Sequence, residues 1–403
     1  MTESSGKKIL HFTYDYPTEF SPEKTAAISN LINSASNNIF HFVINLNRSN
    51  FFGEEKICYQ PSKKLAVINA FGLPKGLFFK YTIRRAIKNI EKFRNENNIG
   101  FGDYNLIHSH KLCFEGPVAY HYSKLFSIPL IVSIRTFDFP VLKYRFDLRN
   151  MFEKILVVSK KVLIISPWME NSLRQVFGEK FFNEILKHKI ECIGSIIPSA
   201  GQNAFIANDE IENRIRLNSD VFKFVIIMKI SELYIKVKNI RRIFKALNKL
   251  SFKFKFDIIG GGDSGSIIKL KKVIEKYKLS DRVNLIGYIE NEKIINKLKE
   301  YDAFIMPSYP ETFGMSYIEA LYAGLPIMYS HKAGVSGFFD DSIGITVNPF
   351  DVNSILKGLN KIKNKNIEMK KNVYDFVKRG GLERFSSEKV GEKYLNILNS
   401  TVK

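Results

Sequence analysis

The feature that most constrains the fold of this chain is a regular alternation of short β-branched runs with longer helical stretches. Such alternation is typical of repeated βα units that build parallel sheets. We expect the runs of the first half to form one sheet. The strand candidates there are KKILHFTY, IFHFVINL, KLAVINAF, NLIHSH, PLIVSI, KVLIIS and KIECIG.

The pattern starts again in the second half and predicts a second sheet from FKFVIIMKI, FKFDIIG, RVNLIGY, DAFIMP, LPIMYS and GITVN. Between the halves, SIIPSAGQNAFIANDEIEN carries Pro, Gly and Asn with little apolar periodicity, as expected of a linker. A chain of 403 residues accommodates two α/β domains. We place the boundary within 198–216, with domains over 1–200 and 201–403, and a last helix, about 385–403, that can pack on either half.

The formal net charge of the chain is +21 at pH 7. Such a charge predicts anionic partners, which include nucleic acid, nucleotide diphosphates and the acidic cytoplasmic face of a membrane. No RNP-type aromatic motif, zinc finger or helix-turn-helix pattern accompanies the charge, so we expect no nucleic-acid partner.

The three cysteines have no paired spacing, which suggests neither a disulfide framework nor a zinc site. No run reaches the roughly 18 to 20 apolar residues that a membrane span needs. We therefore expect a cytoplasmic protein, with peripheral contact on the inner face of the cell membrane as a further hypothesis.

One helical segment, GLPKGLFFKYTIRRAIKNIEKF, interleaves aromatic residues such as Phe79 and Tyr81 with cations such as Lys80, Arg84 and Arg85. A basic amphipathic helix of this kind can rest on anionic lipid. It can equally be a core helix with a solvated basic face. The sequence does not choose between these two interpretations.

The most informative stretch is DAFIMPSYPETFGMSYIEALYAGLP, residues 302–326. It predicts a buried strand ending at Met306, a Pro-containing loop, and a helix that begins near Gly314. The free backbone N–H groups at the positive end of this helix can bind an anionic diphosphate, which the glycine allows to approach closely. These donor-binding residues are Thr312, Phe313, Gly314 and Met315.

Two glutamates bracket this turn. Glu311 lies in the loop before the helix, and Glu319 lies within a helix otherwise rich in Met, Tyr, Ile, Leu and Ala, where a charge needs a partner. We expect Glu311 to accept hydrogen bonds from sugar hydroxyls near the reacting carbon, and Glu319 from a ribose. Taken singly, Glu311 can also be a solvated loop residue and Glu319 an exposed helix position.

The full string PSYPETFGMSYIEALYAGLP resembles the E-x7-E segment of retaining GT-B glycosyltransferases, in particular glycosyltransferase family 4. Glu311 and Glu319 stand at the two glutamate positions, and the Pro-Ser, Phe-Gly and Gly-x-Pro elements of the pattern are present. The resemblance implies an α/β GT-B fold, with two Rossmann-like domains facing each other across a cleft. It also implies a transferase that takes a nucleotide-diphosphate sugar as donor and retains anomeric configuration.

The resemblance extends more weakly over the rest of the second half. FDIIGGGDS is similar to the family's glycine turn and RVNLIGYIENEKI to the loop that holds the base, which implies donor contacts for Gly262 and Tyr288. Family members carry an Arg and a Lys that bind phosphate after the first strand of this domain. The corresponding candidates are Lys229, where Lys lacks the bidentate fork of Arg, and Lys238, with Lys236 as a competitor. We group Lys229 and Lys238 with Glu311 as catalytic residues.

In the first half, NLIHSHK puts two histidines at a strand end. The resemblance implies that His110 faces the donor sugar as a catalytic residue, whereas we interpret His108 as structural. SIRTFDFP is similar to the family's His-Gly-x-Asp loop, with Arg135 in place of the His and Asp138 at the acid position. The resemblance implies acceptor binding for these two residues. The family's N-terminal Gly-Gly loop is replaced by Ser21 and Pro22.

No Asp-x-Asp motif or cluster with metal-ligand spacing is present in a suitable context, so we expect no metal and no cofactor. Lys238, Lys229 and the helix end before Gly314 must then neutralise the leaving diphosphate. We expect a glycan or lipid-linked acceptor, as in bacterial surface polysaccharide synthesis. The alternative function is a non-catalytic partner subunit of the same fold that binds nucleotide-sugar or glycan. An epimerase or a phosphorylase finds no support in the residues.

Overall fold

The computed structural model describes residues 6–17, 26–35, 39–49, 57–60, 65–71, 79–197 and 220–402. Within these ranges, every run that the sequence predicts as a strand is a strand. The linker predicted within 198–216 and the loop of Ser21 and Pro22 lie outside the described residues.

The first sheet has eight strands in the order β3-β4-β2-β1-β5-β6-β7-β8. Its strands are β1 (Lys7–Thr13), β2 (Ile39–Ser49), β3 (Ile57–Gln60), β4 (Leu65–Phe71), β5 (Leu106–Ser109), β6 (Leu130–Ile134), β7 (Lys161–Ile164) and β8 (Ile190–Cys192). All neighbours are parallel except β3, which is antiparallel to β4. The expectation of a purely parallel sheet was wrong at this edge, because a short edge strand lacks the long apolar run of a buried parallel strand.

The second sheet has six parallel strands in the order β11-β10-β9-β12-β13-β14. They are β9 (Phe222–Ile227), β10 (Phe254–Ile259), β11 (Val283–Gly287), β12 (Ala303–Met306), β13 (Ile327–Ser330) and β14 (Gly344–Val347). Counted within the sheet, this is the doubly wound Rossmann order, which reverses between β9 and β12. Ligands of such sheets bind beyond the carboxyl ends of the strands at this reversal.

Helices connect the parallel strands, as right-handed βαβ crossovers require. With the first sheet lie Ala27–Asn33, Phe79–Glu96, Glu115–Phe126, Asp138–Tyr144, Arg149–Val158 and Trp168–Phe177, followed by the short turns Glu179–Phe181 and Phe182–Leu186. With the second lie Glu232–Val237, Ile240–Leu247, Ser264–Lys276, Asn291–Leu298, Met315–Tyr322, Val352–Asn364 and Asn366–Lys378. The chain ends with the helix Ser387–Thr401.

The chain divides into two compact units. The first takes Met1–Ile165, Glu170–Ile196 and Ser387–Lys403, and the second takes Ser166–Met169 and Ile197–Ser386. The helix Ser387–Thr401 therefore belongs to the first unit, where its apolar face joins the core under the sheet. Core residues of this cluster include Ile9, Leu31, Leu106, Ile131, Leu163, Val390, Tyr394 and Leu398.

The basic helix Phe79–Glu96 turns its apolar side into the first unit, with Phe79, Ile83 and Ile90 buried. Lys80 and its other exposed cations face solvent. The structure thus favours the second interpretation of this segment, a core helix with a solvated basic face. Across the described residues, we find no helix with the length and apolar character of a membrane span.

Candidate active site

The loops after β9 and β12 meet at the reversal of the second sheet. The Tyr309 N–H donates to the Val237 carbonyl at 2.8 Å, and the Asn239 side-chain amide donates to the Pro307 carbonyl at 3.2 Å. Asn239 is buried and has a left-handed φ of 61°, which begins the helix Ile240–Leu247. These bonds fasten the end of one helix to the loop that precedes Glu311.

An ion pair results from this fastening. The Lys238 Nζ lies 2.6 Å from the Glu311 Oε2, and both side chains are mostly buried, with 12% and 15% of their surfaces exposed. The other carboxylate oxygen of Glu311 accepts from the Thr312 N–H at 3.2 Å. Two of the predicted catalytic residues therefore lie together at the edge where a Rossmann sheet binds ligands.

The helix predicted near Gly314 is confirmed, with Gly314 as the N-cap of Met315–Tyr322. Gly314 has φ +79°, and a Cβ there would lie 2.5 Å from the Tyr317 ring, so two separate constraints demand glycine. The predicted end of the strand at Met306 is confirmed as well. Phe313 is buried between Phe338 and Phe385, so only its backbone remains available for the predicted donor contact.

Glu319 lies one turn into this helix and is half-buried. Among the described residues its carboxylate has no hydrogen-bond or ion-pair partner, and burial raises its pKa. A partly desolvated carboxylate without a partner is costly in a folded protein. The side chain is therefore prepared to accept hydrogen bonds from a ligand.

The loops after β9 and β10 approach each other through a backbone bridge between Ile230 and Gly262. A Cβ on Gly262 would lie 2.1 Å from the Ile230 carbonyl oxygen, so glycine is required by the bridge itself. Lys229 is exposed beside this bridge, and Tyr288 in the loop after β11 is 72% exposed. The structure thus explains Gly262 without a ligand.

Lys236, the competing cation, faces elsewhere. It is exposed and lines a cavity of about 540 Å³ together with Arg241, Arg242, Lys269 and Lys272. Of the three lysine candidates, only Lys238 contacts Glu311 in the structure.

In the first unit, the sheet order reverses between β1 and β5, and a cluster of buried histidines lies there. The His11 Nδ1 lies 3.1 Å from the His110 Nε2, and the His11 Nε2 lies 2.9 Å from the His41 Nδ1. His108 bonds instead to the Tyr394 hydroxyl at 2.6 Å and the Ser133 hydroxyl at 2.9 Å. The structural interpretation of His108 agrees with these bonds, whereas the role of His110 stays a prediction.

Burial keeps these imidazoles neutral. It lowers the pKa of His108 to about 3, and the nearby charges of Arg135 and His41 act in the same direction. Burial and neighbouring imidazoles lower the pKa values of His11 and His110 well below 6.5.

His11, His108 and His110 could also offer a metal three ligand atoms within 4.8 Å of one another. The ring nitrogens that face each other in this cluster are engaged in hydrogen bonds, however. The expectation of a metal-free enzyme is untested by this geometry.

The predicted acceptor-binding residues are both held inside the first unit. The Asp138 carboxylate accepts from the backbone N–H groups of Arg135 at 2.8 Å and Cys113 at 2.9 Å, and burial raises its pKa. The Arg135 Nε donates to the His110 carbonyl at 3.0 Å. These bonds give both residues an internal structural role, and their contact with an acceptor stays a prediction.

Sequence reasoning missed three polar residues at this edge. Glu115 is fully buried, its oxygens have no hydrogen-bond partner among the described residues, and burial raises its pKa to about 8. His11 and His41 were missed as well. The available signal was a histidine inside an otherwise apolar run, HFTY and FHFVINL, because buried strand positions rarely hold polar side chains without a partner.

Comparison with known proteins places this geometry in a family context. Residues 210–379 match the family model Glycosyl transferases group 1. A human protein of the phosphatidylinositol N-acetylglucosaminyltransferase is 30% identical over 126 residues, which are 30% of this chain and 26% of that protein. The alpha-monoglucosyldiacylglycerol synthase of Acholeplasma laidlawii is 27% identical over 134 residues, 32% of each chain. The chain thus spans about a quarter to a third of the length of these relatives.

A longer match is an uncharacterised glycosyltransferase of Methanocaldococcus jannaschii, 22% identical over 64% of this chain and 68% of its own length. Among solved structures, the sucrose-phosphate synthase of Thermosynechococcus elongatus has a TM-score of 0.66 at 17% identity, with 98% of both chains covered. The Anabaena protein HepE in complex with UDP has a TM-score of 0.67 at 14% identity, over 98% of this chain and 100% of its own. The chain therefore has the fold of GT-B glycosyltransferases and carries a Glycosyl transferases group 1 domain over residues 210–379.

Proposed function

We propose that this protein is a glycosyltransferase that moves a sugar from a nucleotide-diphosphate sugar to an acceptor hydroxyl with retention of anomeric configuration. The observation that carries the proposal is the Lys238–Glu311 ion pair at the β9–β12 reversal, immediately before a helix N-terminus. A cation and backbone N–H groups at one edge suit a diphosphate, and the adjacent carboxylate suits sugar hydroxyls.

In the proposed reaction, the bond from the anomeric carbon to the diphosphate oxygen breaks as the bond to the acceptor oxygen forms on the same face of the sugar. The acceptor's proton passes to the departing phosphate. Lys238, with Lys229 as a second cation, stabilises the charge on the leaving group. Glu311 orients the sugar, and no metal is required.

Glu319 takes the ribose in this proposal, because a half-buried carboxylate without a partner is a good acceptor for two vicinal hydroxyls. Gly262 and Tyr288 lie on the loops after β10 and β11, the side on which a base extends in a Rossmann sheet. UDP is the nucleotide to test first, since a solved structure with this fold holds it.

The test is a donor screen without a presumed acceptor. The protein is incubated with UDP-, GDP- and CMP-sugars, with and without EDTA, and release of the nucleotide is measured. We expect release from one donor class, unaffected by EDTA, and at least a hundredfold slower release by Glu311→Gln. Equal release by Glu311→Gln would refute the site. Once an acceptor is found, an inverted product by NMR would refute retention.

We further propose a lipid-linked acceptor of bacterial surface polysaccharide synthesis, reached from an anionic membrane surface. Two of the matched relatives are named for lipid substrates, a phosphatidylinositol and a diacylglycerol. The first unit also exposes an aromatic stripe along the helix Asp138–Tyr144. Phe137 is 64% exposed, Tyr144 68% and Phe146 72%, and exposed Pro140 lies between them.

Large apolar side chains on an exposed helix face are typical of interfacial binding when cations surround them. Lys143 is exposed beside Tyr144, and Arg145 lies over the Phe79 ring, near the exposed cations Lys80 and Arg84. Aromatic residues at the headgroup level with flanking cations match the chemistry of an anionic bilayer.

Vesicle sedimentation tests this membrane contact. We expect binding to vesicles that contain phosphatidylglycerol, weaker binding at high salt, and little binding to pure phosphatidylcholine. Replacing Phe137, Tyr144 and Phe146 together by Ser should reduce binding at least tenfold. Leu125→Ser, which removes a 56% exposed apolar side chain elsewhere in the same unit, is the matched control. Undiminished binding by the triple variant would exclude the aromatic stripe.

A further inference from the structure

The histidine cluster of the first unit contains a directional chain of hydrogen bonds. It runs from the Ala35 carbonyl to His41, then to His11, and ends at His110. All three imidazoles are buried. A carbonyl oxygen only accepts, so it fixes the direction of the whole chain.

The protons can be assigned one ring at a time. The His41 Nε2 lies 3.2 Å from the Ala35 carbonyl oxygen and must donate to it, so a neutral His41 has a bare Nδ1. That Nδ1 accepts from the His11 Nε2 at 2.9 Å, which leaves the His11 Nδ1 bare. The His11 Nδ1 in turn accepts from the His110 Nε2 at 3.1 Å.

The chain ends on an unsatisfied atom. The His110 Nδ1 is buried, carries no proton in this assignment, and has no hydrogen-bond partner among the described residues. A buried acceptor without a partner is uncommon in proteins. Because a neutral imidazole cannot exchange its proton across this chain without reversing every bond, the free atom is held as an acceptor.

We propose that His11 and His41 are positioning residues that lock His110 in the Nε2–H tautomer, so that its Nδ1 accepts a hydrogen bond from a substrate hydroxyl. The inference rests on the proposed function for the identity of the substrate, a sugar, but the tautomer itself does not. His108 provides an internal reference, because both of its partners are hydroxyls and hydroxyls impose no direction.

The tautomers can be read directly by long-range ¹⁵N–¹H NMR correlation on ¹⁵N-histidine-labelled protein at pH 7.5, with signals assigned by single substitutions. We expect His110, His11 and His41 all as Nε2–H tautomers. An Nδ1–H tautomer or a doubly protonated ring at His110 overturns the inference and leaves the proposed function standing.

A matched pair of variants tests the positioning role. His41→Asn retains a side-chain carbonyl that can accept from His11, whereas His41→Leu fills the space without an acceptor. In His41→Leu, the direction of the chain is no longer imposed. We expect the Nδ1–H form of His110 to become populated, while the His108 signals stay unchanged. His41→Asn should keep the parent tautomer.

Activity provides the second readout. With the donor from the screen, we expect His41→Leu to lower kcat/KM about tenfold and His41→Asn less than threefold. A tautomer change in His41→Leu with unchanged kcat/KM would overturn the positioning role. Addition of one equivalent of Zn²⁺ is the control for the three clustered histidines, and stoichiometric binding that removes the His11 and His110 N–H signals would overturn the chain in favour of a metal site.

Discussion

Replacing Glu319 by Gln should weaken nucleotide binding without weakening the fold. The carboxylate is half-buried on an apolar helix, burial raises its pKa, and it has no partner among the described residues. Its charge therefore costs free energy in the free protein. Gln removes this cost and keeps the shape, so the free energy of unfolding without ligand should stay the same or rise.

The expected loss of affinity follows from the hydrogen bonds. A hydrogen bond to a charged group contributes about 1.5–3 kcal/mol, so loss of the carboxylate should raise the nucleotide Kd by about 10- to 100-fold. At a nucleotide concentration of about 100 Kd, binding stabilises the parent by about 2.7 kcal/mol, but a variant weakened 100-fold by only about 0.4 kcal/mol. At about 2–4 °C per kcal/mol, the shift in Tm should fall from roughly 5–10 °C to about 1 °C.

Thermal unfolding with and without UDP, GDP or CMP measures both quantities in one experiment. Glu292→Gln is the matched control, because Glu292 is exposed on the helix Asn291–Leu298 of the same unit. The reasoning fails if Glu319→Gln keeps the full nucleotide-dependent shift. It also fails if this variant melts several degrees lower than the parent without nucleotide, since the carboxylate would then have an internal partner.

Three further predictions concern stability. Gly262→Ala should cost about 2–3 kcal/mol by overpacking against a backbone carbonyl 2.1 Å from the new Cβ, whereas Gly261→Ala, with its nearest atom at 3.4 Å, should melt like the parent. Lys238→Met and Glu311→Gln should each destabilise by about 1–3 kcal/mol, and a double-mutant cycle in urea should give a coupling of about 1 kcal/mol or more; additive losses would contradict the ion pair. His108 stays neutral in the fold while the unfolded residue protonates below 6.5, so stability is lost as pH falls from 6.5 towards about 3. Between pH 6.5 and 5 the parent should lose about 2 kcal/mol more than His108→Asn in urea titrations, and equal losses would contradict a neutral His108.

The strands could be predicted because nearly all of them are buried on both faces and parallel. Such strands appear in the sequence as continuous apolar runs, which need no knowledge of pairing. The strand Ile57–Gln60 escaped because it lies at an edge and pairs on one side only, with β4. A short segment of this kind has no pattern that separates it from a loop.

The site was predictable only where its residues are close in sequence. Glu311, Gly314 and Glu319 share one strand-loop-helix unit, so their spacing already determines their relation. The contact of Lys238 with Glu311 joins residues 73 positions apart and depends on the left-handed Asn239 and its bond to the Pro307 carbonyl. No local pattern states that Lys238 rather than a neighbouring lysine makes this contact.

The histidine cluster was not predictable for a related reason. His11 and His108 are adjacent only because β1 and β5 pair in a register that aligns them, and His41 joins from β2. Register between non-consecutive strands is a property of the whole sheet, set by how all of its apolar residues reach the core.

The two sheets treat charge at their carboxyl edges in opposite ways. The second unit keeps Lys238, Glu311 and Glu319 ionisable and partly accessible, at a cost in desolvation that a charged ligand can offset. The first unit buries neutral imidazoles such as His110, which cannot attract a diphosphate but can discriminate between hydroxyl patterns through the penalty for an unmade hydrogen bond. On the proposed function, nucleotide affinity would therefore reside in the second unit and choice of sugar in the first. This division also explains why the part of the chain that matches the family model, 210–379, is the part that binds what all such enzymes share.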